Sequence, residues 1–179
     1  MNKYYNKLVI PVQVLNNPLD RATYSHKRFY DFEISNFTQE YKDWIKSLGL
    51  NLYRADMLYS EPNTEYPIHQ DIIELDDFAK INFVYNGKDT EMHWYRAKRE
   101  EILVPNIVDK HTELYNKMQV ELLYSTKLQD ANLVQAGMPH SVISGNEPRW
   151  CISTVYAVNK RFLTWSKALE VFKPYLVNE

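Results

Sequence analysis

The stretch "AKINFVYNGKDTEMHWYRA", residues 79–97, decides the class of fold. Its two arms are short and rich in aromatic and β-branched side chains. They meet at Asn86-Gly87, a dipeptide that tolerates the positive φ angles of a tight hairpin turn. The arms therefore read as strands over 79–86 and 90–97. The same pattern runs outward on both sides. Before it come "LNLYRADMLYS" (50–60) and "YPIHQDIIEL" (66–75); after it come "QVELLYS" (119–125), "ANLVQ" (131–135), "HSVIS" (140–144) and "RWCISTVYAV" (149–158). About eight short strands punctuated by turns such as "SGNEP" (144–148) predict a mainly β sandwich or barrel closed on itself.

Two helices flank the strands. The first has Thr38 as N-cap, Glu40 in its first turn, an apolar stripe of Tyr41, Trp44, Ile45 and Leu48, and Gly49 as its stop. The second has Thr164 as N-cap, the stripe Trp165, Ala168, Leu169 and Phe172, and Pro174 just beyond. Towards the N-terminus, "KLVIPVQVL" (7–15) reads as an edge or bent strand around Pro11, and "RFYDFEIS" (28–35) as another strand. The segment 98–118 is polar and mixed, and "IVDKHTELYNKM" (107–118) suits a helix or a long loop. No repeat, low-complexity tract or linker divides the 179 residues, so the expectation is one domain with a core over about 50–158.

Composition excludes several functions. A net charge of −2 gives no electrostatic footprint for nucleic acid. A single cysteine, Cys151, allows no disulfide framework and suits a reducing compartment. "MNKYYNKLVIPVQV" has an apolar run too short for a secretion signal, and no run reaches the length of a membrane span, so a cytoplasmic location is expected. Four glycines leave no room for a Gly-rich phosphate loop.

The chemistry lies in "NTEYPIHQDIIEL", residues 63–75. Two residues apart on a strand, His69 and Asp71 aim an imidazole and a carboxylate at one face, among Ile68, Ile72 and Ile73. A cation would cancel the cost of burying that carboxylate. A third ligand must come from another strand, and His140, entering its strand after Gly-Met-Pro, can supply it. Two histidines and one carboxylate form the facial set that holds non-haem Fe(II) with three positions open. Among the rivals, His93 beside Trp94 and Tyr95 suits packing, while His26 and His111 lie in polar surroundings. Arg149 starts the last long strand across the "SGNEP" turn, on a strand expected to run antiparallel to that of His140. A buried arginine needs a planar anion, which a dicarboxylate offers, and Ser153 shares its face by period 2.

"HQD" (69–71), "PHSV" (139–142) and Arg149, with "INFVYNG…MHWY" between them, resemble the Fe(II)- and 2-oxoglutarate-dependent oxygenase superfamily over roughly residues 50–158. The resemblance implies a double-stranded β-helix, or jelly roll. It implies His69, Asp71 and His140 as iron ligands and Arg149 as the anchor of the distal carboxylate of 2-oxoglutarate. Ser153, Asn82 and Tyr59 are candidates to assist Arg149. It also implies dioxygen as co-reactant, release of succinate and carbon dioxide, and, because Asp71 is present, hydroxylation of a small molecule or peptide. Trp94, Tyr95, Arg96, Lys98 and Arg99 are candidates to line the substrate entrance. Two other readings stand beside this one. A cupin-type metal-binding jelly roll would leave Arg149 without a task. In a non-catalytic binding module, His69 and Asp71 would only hydrogen-bond each other.

Overall fold

A computed structural model of the chain describes residues 1–71, 76–98, 113–115 and 117–177. Twelve strands lie among them: β1 (Tyr5–Lys7), β2 (Phe29–Asp31), β3 (Asn51–Ser60), β4 (Ile68–Gln70), β5 (Ala79–Tyr85), β6 (Glu91–Ala97), β7 (Glu113–Tyr115), β8 (Val120–Lys127), β9 (Asp130–Gln135), β10 (His140–Ile143), β11 (Arg149–Val158) and β12 (Arg161–Phe162). Two helices, α1 (Gln39–Ser47) and α2 (Trp165–Phe172), complete the regular structure with three short 3₁₀ turns. The expected turn at Asn86 and Gly87 is present, with φ of +61° and +72°, but it does not close a hairpin: β5 pairs with β9 and β11, and β6 with β8 and β10. At that turn the chain changes sheets.

The larger sheet runs β1-β9-β5-β11-β3-β2, with β12 also paired to β11. The smaller runs β7-β4-β10-β6-β8. All pairings among the described residues are antiparallel, and the chain passes between the two facing sheets at each step from β3 to β6 and again from β8 to β11. This is a jelly roll, as the strand count and turn spacing predict.

Each face of the larger sheet has its own role. Trp150, Ile152, Thr154 and Tyr156 of β11 face the helices, where Tyr41, Trp44 and Ile45 of α1 meet Trp165, Ala168 and Phe172 of α2 in the principal core. Both stripes are those read from the sequence. Thr38 caps α1 by accepting from the Tyr41 N–H, Thr164 caps α2 by accepting from that of Lys167, and Gly49 takes φ +75° beyond the first helix. The alternate residues of β11, Arg149, Cys151, Ser153 and Val155, face the smaller sheet. There Val84, Val134 and Cys151 pack on Met92 and Trp94, sealing one part of the space between the sheets.

Several sequence expectations are corrected. The run 7–15 is not a strand beyond Lys7: Leu8 and Leu15 make only isolated bridges, to Leu176 and Phe37, and Pro11 between them has no N–H to give a ladder. The run 28–35 is a strand only over β2 before a 3₁₀ turn at Ile34–Asn36. The helix alternative for 107–118 fails at Glu113–Tyr115, which pair with β4. The remaining expectations for 99–112, Arg99 and His111 included, and for Ile72 and Ile73, lie outside the described residues. Among the described residues no helix is long and apolar enough to cross a membrane.

Candidate metal centre

His69 and His140 face each other directly across the β4–β10 ladder, with ring centroids 4.4 Å apart. The imidazole Nδ1–H of His69 donates to the Pro67 carbonyl at 2.9 Å, and that of His140 to the Met138 carbonyl at 2.8 Å. Each ring is thereby fixed in one orientation with Nε2 turned to the space between the sheets. Such backbone anchoring of the far nitrogen is how a metal-binding histidine is held and kept basic at the other. Asp71 follows β4 at a bend. Its Oδ1 lies 3.6 Å from the His69 Nε2 and its Oδ2 3.9 Å from the His140 Nε2. One donor atom from each residue lies within 4.8 Å of the other two, and this is the one such cluster among the described residues. Two nitrogens from facing strands and one oxygen from the bend after β4 make a donor set that fits a divalent transition metal.

The electrostatics favour a ligating state. Burial, then the His69 charge, push the His140 imidazole down to about 4, so it is neutral at neutral pH. Burial pushes the Asp71 carboxyl up, but the charges of Lys80, His140 and His69 outweigh it and hold the group well below the ordinary carboxylate range. Asp71 is thus ionised. Its strongest contact is one the sequence reading missed: the Lys80 ammonium sits 2.8 Å from Oδ2.

Lys80 belongs to a cavity of about 100 Å³ that runs from the ligand cluster between the sheets. Arg149, Ser153 and Asn82 line it, as expected, and Ser60 and Tyr66 join them. Arg149 is 3% exposed, and no carboxylate pairs with it among the described residues; its side-chain neighbour is the Cys151 thiol. Burial raises that thiol's pKa while Arg149 pulls it back. The Asn82 Oδ1 is buried without a hydrogen-bond partner. A larger hollow of about 350 Å³, between residues 1–7 and 173–177, brings together no metal-ligating cluster.

Three site expectations are corrected. Tyr59 does not face the cavity: Leu58 and Ser60 do, and by strand alternation Tyr59 points to the helix side, where its ring packs on Trp150 at 5.4 Å. Tyr66 takes the place foreseen for it, with its hydroxyl donated to the Tyr59 carbonyl. Arg149 is not on a strand paired with that of His140: β10 belongs to the small sheet and β11 to the large one, so the "SGNEP" turn crosses between layers. The two residues face each other across the cavity rather than along a ladder. Nor do Trp94 and Tyr95 line an entrance. Trp94 is fully buried, donating its indole N–H to the Gln135 carbonyl at 2.8 Å, and Arg96 is paired with Glu121. His93 does lie off the site, hydrogen-bonded to Glu91 at 2.9 Å, and His26 is exposed. Lys80 was visible in the sequence by the argument used for His69 and Asp71, since Lys80 and Asn82 are polar residues two apart in an apolar strand.

No protein-family model and no curated protein sequence matches this chain. Among solved structures it is similar to ycfD of E. coli, with a TM-score of 0.38 and 14% identity over 61% of this chain and 27% of that one. It is likewise similar to the dTDP-4-dehydrorhamnose 3,5-epimerase of Elizabethkingia anophelis, with a TM-score of 0.35 and 14% identity over 71% of this chain and 65% of that one. The chain thus spans about a quarter of the first protein and just under two thirds of the second. Likeness at this level carries no argument about chemistry, which rests on the residues of the site.

Proposed function

We propose that this protein is an Fe(II)- and 2-oxoglutarate-dependent oxygenase that hydroxylates a small molecule or peptide, with succinate and carbon dioxide as co-products. The observation that carries this reading is Arg149. A guanidinium 3% exposed, with no carboxylate partner among the described residues, lies on the wall of a cavity that also holds a two-histidine, one-carboxylate cluster. A buried unpaired charge is costly, so the cavity calls for an anion. A cupin-type site that binds metal alone gives that charge no partner.

His69, Asp71 and His140 would hold the iron by Nε2, a carboxylate oxygen and Nε2. Bound there, Fe(II) would supply the redox chemistry by which dioxygen and the 2-oxo acid are consumed together. Arg149 would receive the distal carboxylate of 2-oxoglutarate in a charge-assisted pair, with the Ser153 hydroxyl beside it. Asn82, opposite Ser153 on β5, would accept a hydrogen bond on its free Oδ1 from a hydroxyl or ordered water. The sheets exclude bulk water from all three. With the metal-binding residues and the guanidinium lining one cavity, the two ends of the cosubstrate would each meet their own partner.

The test is anaerobic binding of 2-oxoglutarate to the Fe(II)-loaded protein, read by a visible charge-transfer band. Arg149→Ala should weaken 2-oxoglutarate by about a hundredfold and leave iron binding nearly unchanged, since it removes one partner of a buried charge pair. Equal 2-oxoglutarate affinity in the variant would reject this function in favour of a metal-binding jelly roll.

A further inference from the structure

Lys80 has no task in the scheme above. It is 8% exposed, its ammonium lies on the cavity wall, and its partner is Asp71 at 2.8 Å. In the ladder with β11 it stands opposite Val155, whereas Arg149 begins that strand. Six residues separate those two positions, roughly 20 Å of backbone. The two cations therefore enter the cavity from separate register positions, with Lys80 at the metal-binding cluster through its contact with Asp71. That cluster is partly open: the His69 and Asp71 side chains keep 24% and 18% of their exposure.

A buried cavity must come close to electrical balance, because unbalanced charge out of water is expensive. A divalent ion contributes two positive charges, Lys80 and Arg149 one each, and Asp71 one negative. A 2-oxo dicarboxylate offsets two of these and is held by Arg149 and the metal. One positive charge stays, and it is located: once an ion draws on the Asp71 carboxylate, Lys80 loses part of its only ion-pair partner among the described residues. The other nearby acids among the described residues each have a partner of their own, though one oxygen of Asp56 is left without one. Asp56 pairs with Arg54 at 3.2 Å, Asp76 accepts from Gln70 at 3.3 Å, and Asp77 accepts from the Ser166 hydroxyl at 2.8 Å.

We propose that Lys80 is a specificity-determining residue that makes the site select an anionic substrate, a small carboxylic acid or a peptide with a free carboxylate, received beside the metal-binding cluster. This rests on the function proposed above and deepens it. Lys80 holds Asp71 through Oδ2, and turns its remaining charge to the substrate once Asp71 is shared with an ion.

The experiment uses the Fe(II)- and 2-oxoglutarate-loaded protein without oxygen, titrated with propionate, phenylacetate and the N-acetylated forms of alanine, leucine and glutamate, each beside its primary amide. The readout is perturbation of the charge-transfer band. At least one acid should act at concentrations about tenfold or more below its amide, the order expected of a partly buried charge pair. Lys80→Met should erase most of that preference while keeping the band, and Lys80→Arg should retain it. A band that forms normally but responds equally to acids and amides, or to none of them, overturns the role of Lys80 and leaves the oxygenase reading standing. So does a preference that survives in Lys80→Met. Failure of the band to form with 2-oxoglutarate in the parent protein removes the oxygenase reading itself, and the inference with it.

Discussion

His140 and His93 stand on adjacent strands of the small sheet, where Ser141, not His140, is the register partner of His93. Cross-strand partners share a face and successive residues alternate, so the two imidazoles leave the sheet on opposite sides. His93 is held outside by Glu91 at 2.9 Å and Tyr95 at 3.3 Å, and Tyr95 reaches on to Ser141 at 3.0 Å. His140→Ala should lower affinity for Fe(II), or for Co(II) as its spectroscopic stand-in, by more than the roughly 10–100-fold that loss of an outer-shell partner costs. His93→Ala should leave it unchanged, and the reverse result would reassign the site. A second residue makes a prediction about pH. Asp56 is 2% exposed on the inner face of β3, with Oδ1 unpartnered. Burial raises its pKa in the fold, against the opposing pull of Arg54 and Lys80. The folded chain then binds this proton more tightly than the unfolded one, so its contribution favours the fold below the unfolded pKa and fades as pH rises through the folded value. Asp56→Asn should raise stability at neutral pH and flatten the decline above about pH 4. Urea unfolding across that range tests it, and a variant less stable than the parent at neutral pH would show that Arg54 outweighs burial.

At the scale of elements, local signals read well and long-range ones did not. Thr38, Thr164, Asn86-Gly87 and the two apolar stripes announced both helices and the central turn, because caps, turns and helical faces are decided within a few residues, whereas whether that turn closes a hairpin or crosses between sheets is not. His69, Asp71 and His140 were legible because ligand chemistry narrows the candidates to a few side chains. Tyr59 was misplaced because its face depends on which of two alternations in β3 meets the cavity, and nothing within "NLYRADMLYS" decides that. The layer change after β10 was equally hidden, since a five-residue turn can join partners in one sheet or cross between two. The turn at Gly87 ties local to distant structure. A Cβ added there would lie 2.8 Å from the Arg149 Cβ and 2.9 Å from the Thr90 Oγ1, on a backbone with φ +72°. Gly87→Ala should therefore destabilise the fold by about 1–3 kcal/mol through backbone strain. It should also displace Arg149 and weaken 2-oxoglutarate, with iron affinity unaffected. Loss of stability with 2-oxoglutarate affinity intact would mean that the guanidinium position tolerates the shift.

In the molecule as a whole, the larger sheet works as a partition. Even-numbered residues of β11 from Trp150 to Tyr156 belong to the helix-side core, and odd-numbered ones from Arg149 to Val155 to the space that holds the site. Most of the apolar area that stabilises the chain thus lies on the side away from the chemistry, and the cavity can keep polar groups unpaired at limited cost to the fold. Phe172 tests that separation. It is fully buried at the end of α2, with its ring 6.0 Å from that of Trp44 and 6.5 Å from that of Tyr156. Truncation to alanine removes a large side chain from a packed layer and leaves a cavity, at a cost of about 3–5 kcal/mol. Because the sheet's hydrogen bonds stand between that void and the ligand cluster, Phe172→Ala should retain the parent's metal affinity at temperatures well below its lowered melting point. Urea unfolding gives the first quantity, and Co(II) titration of the folded variant the second. A metal affinity that falls in step with stability would show that the helices hold the site in place through the sheet rather than merely supporting it.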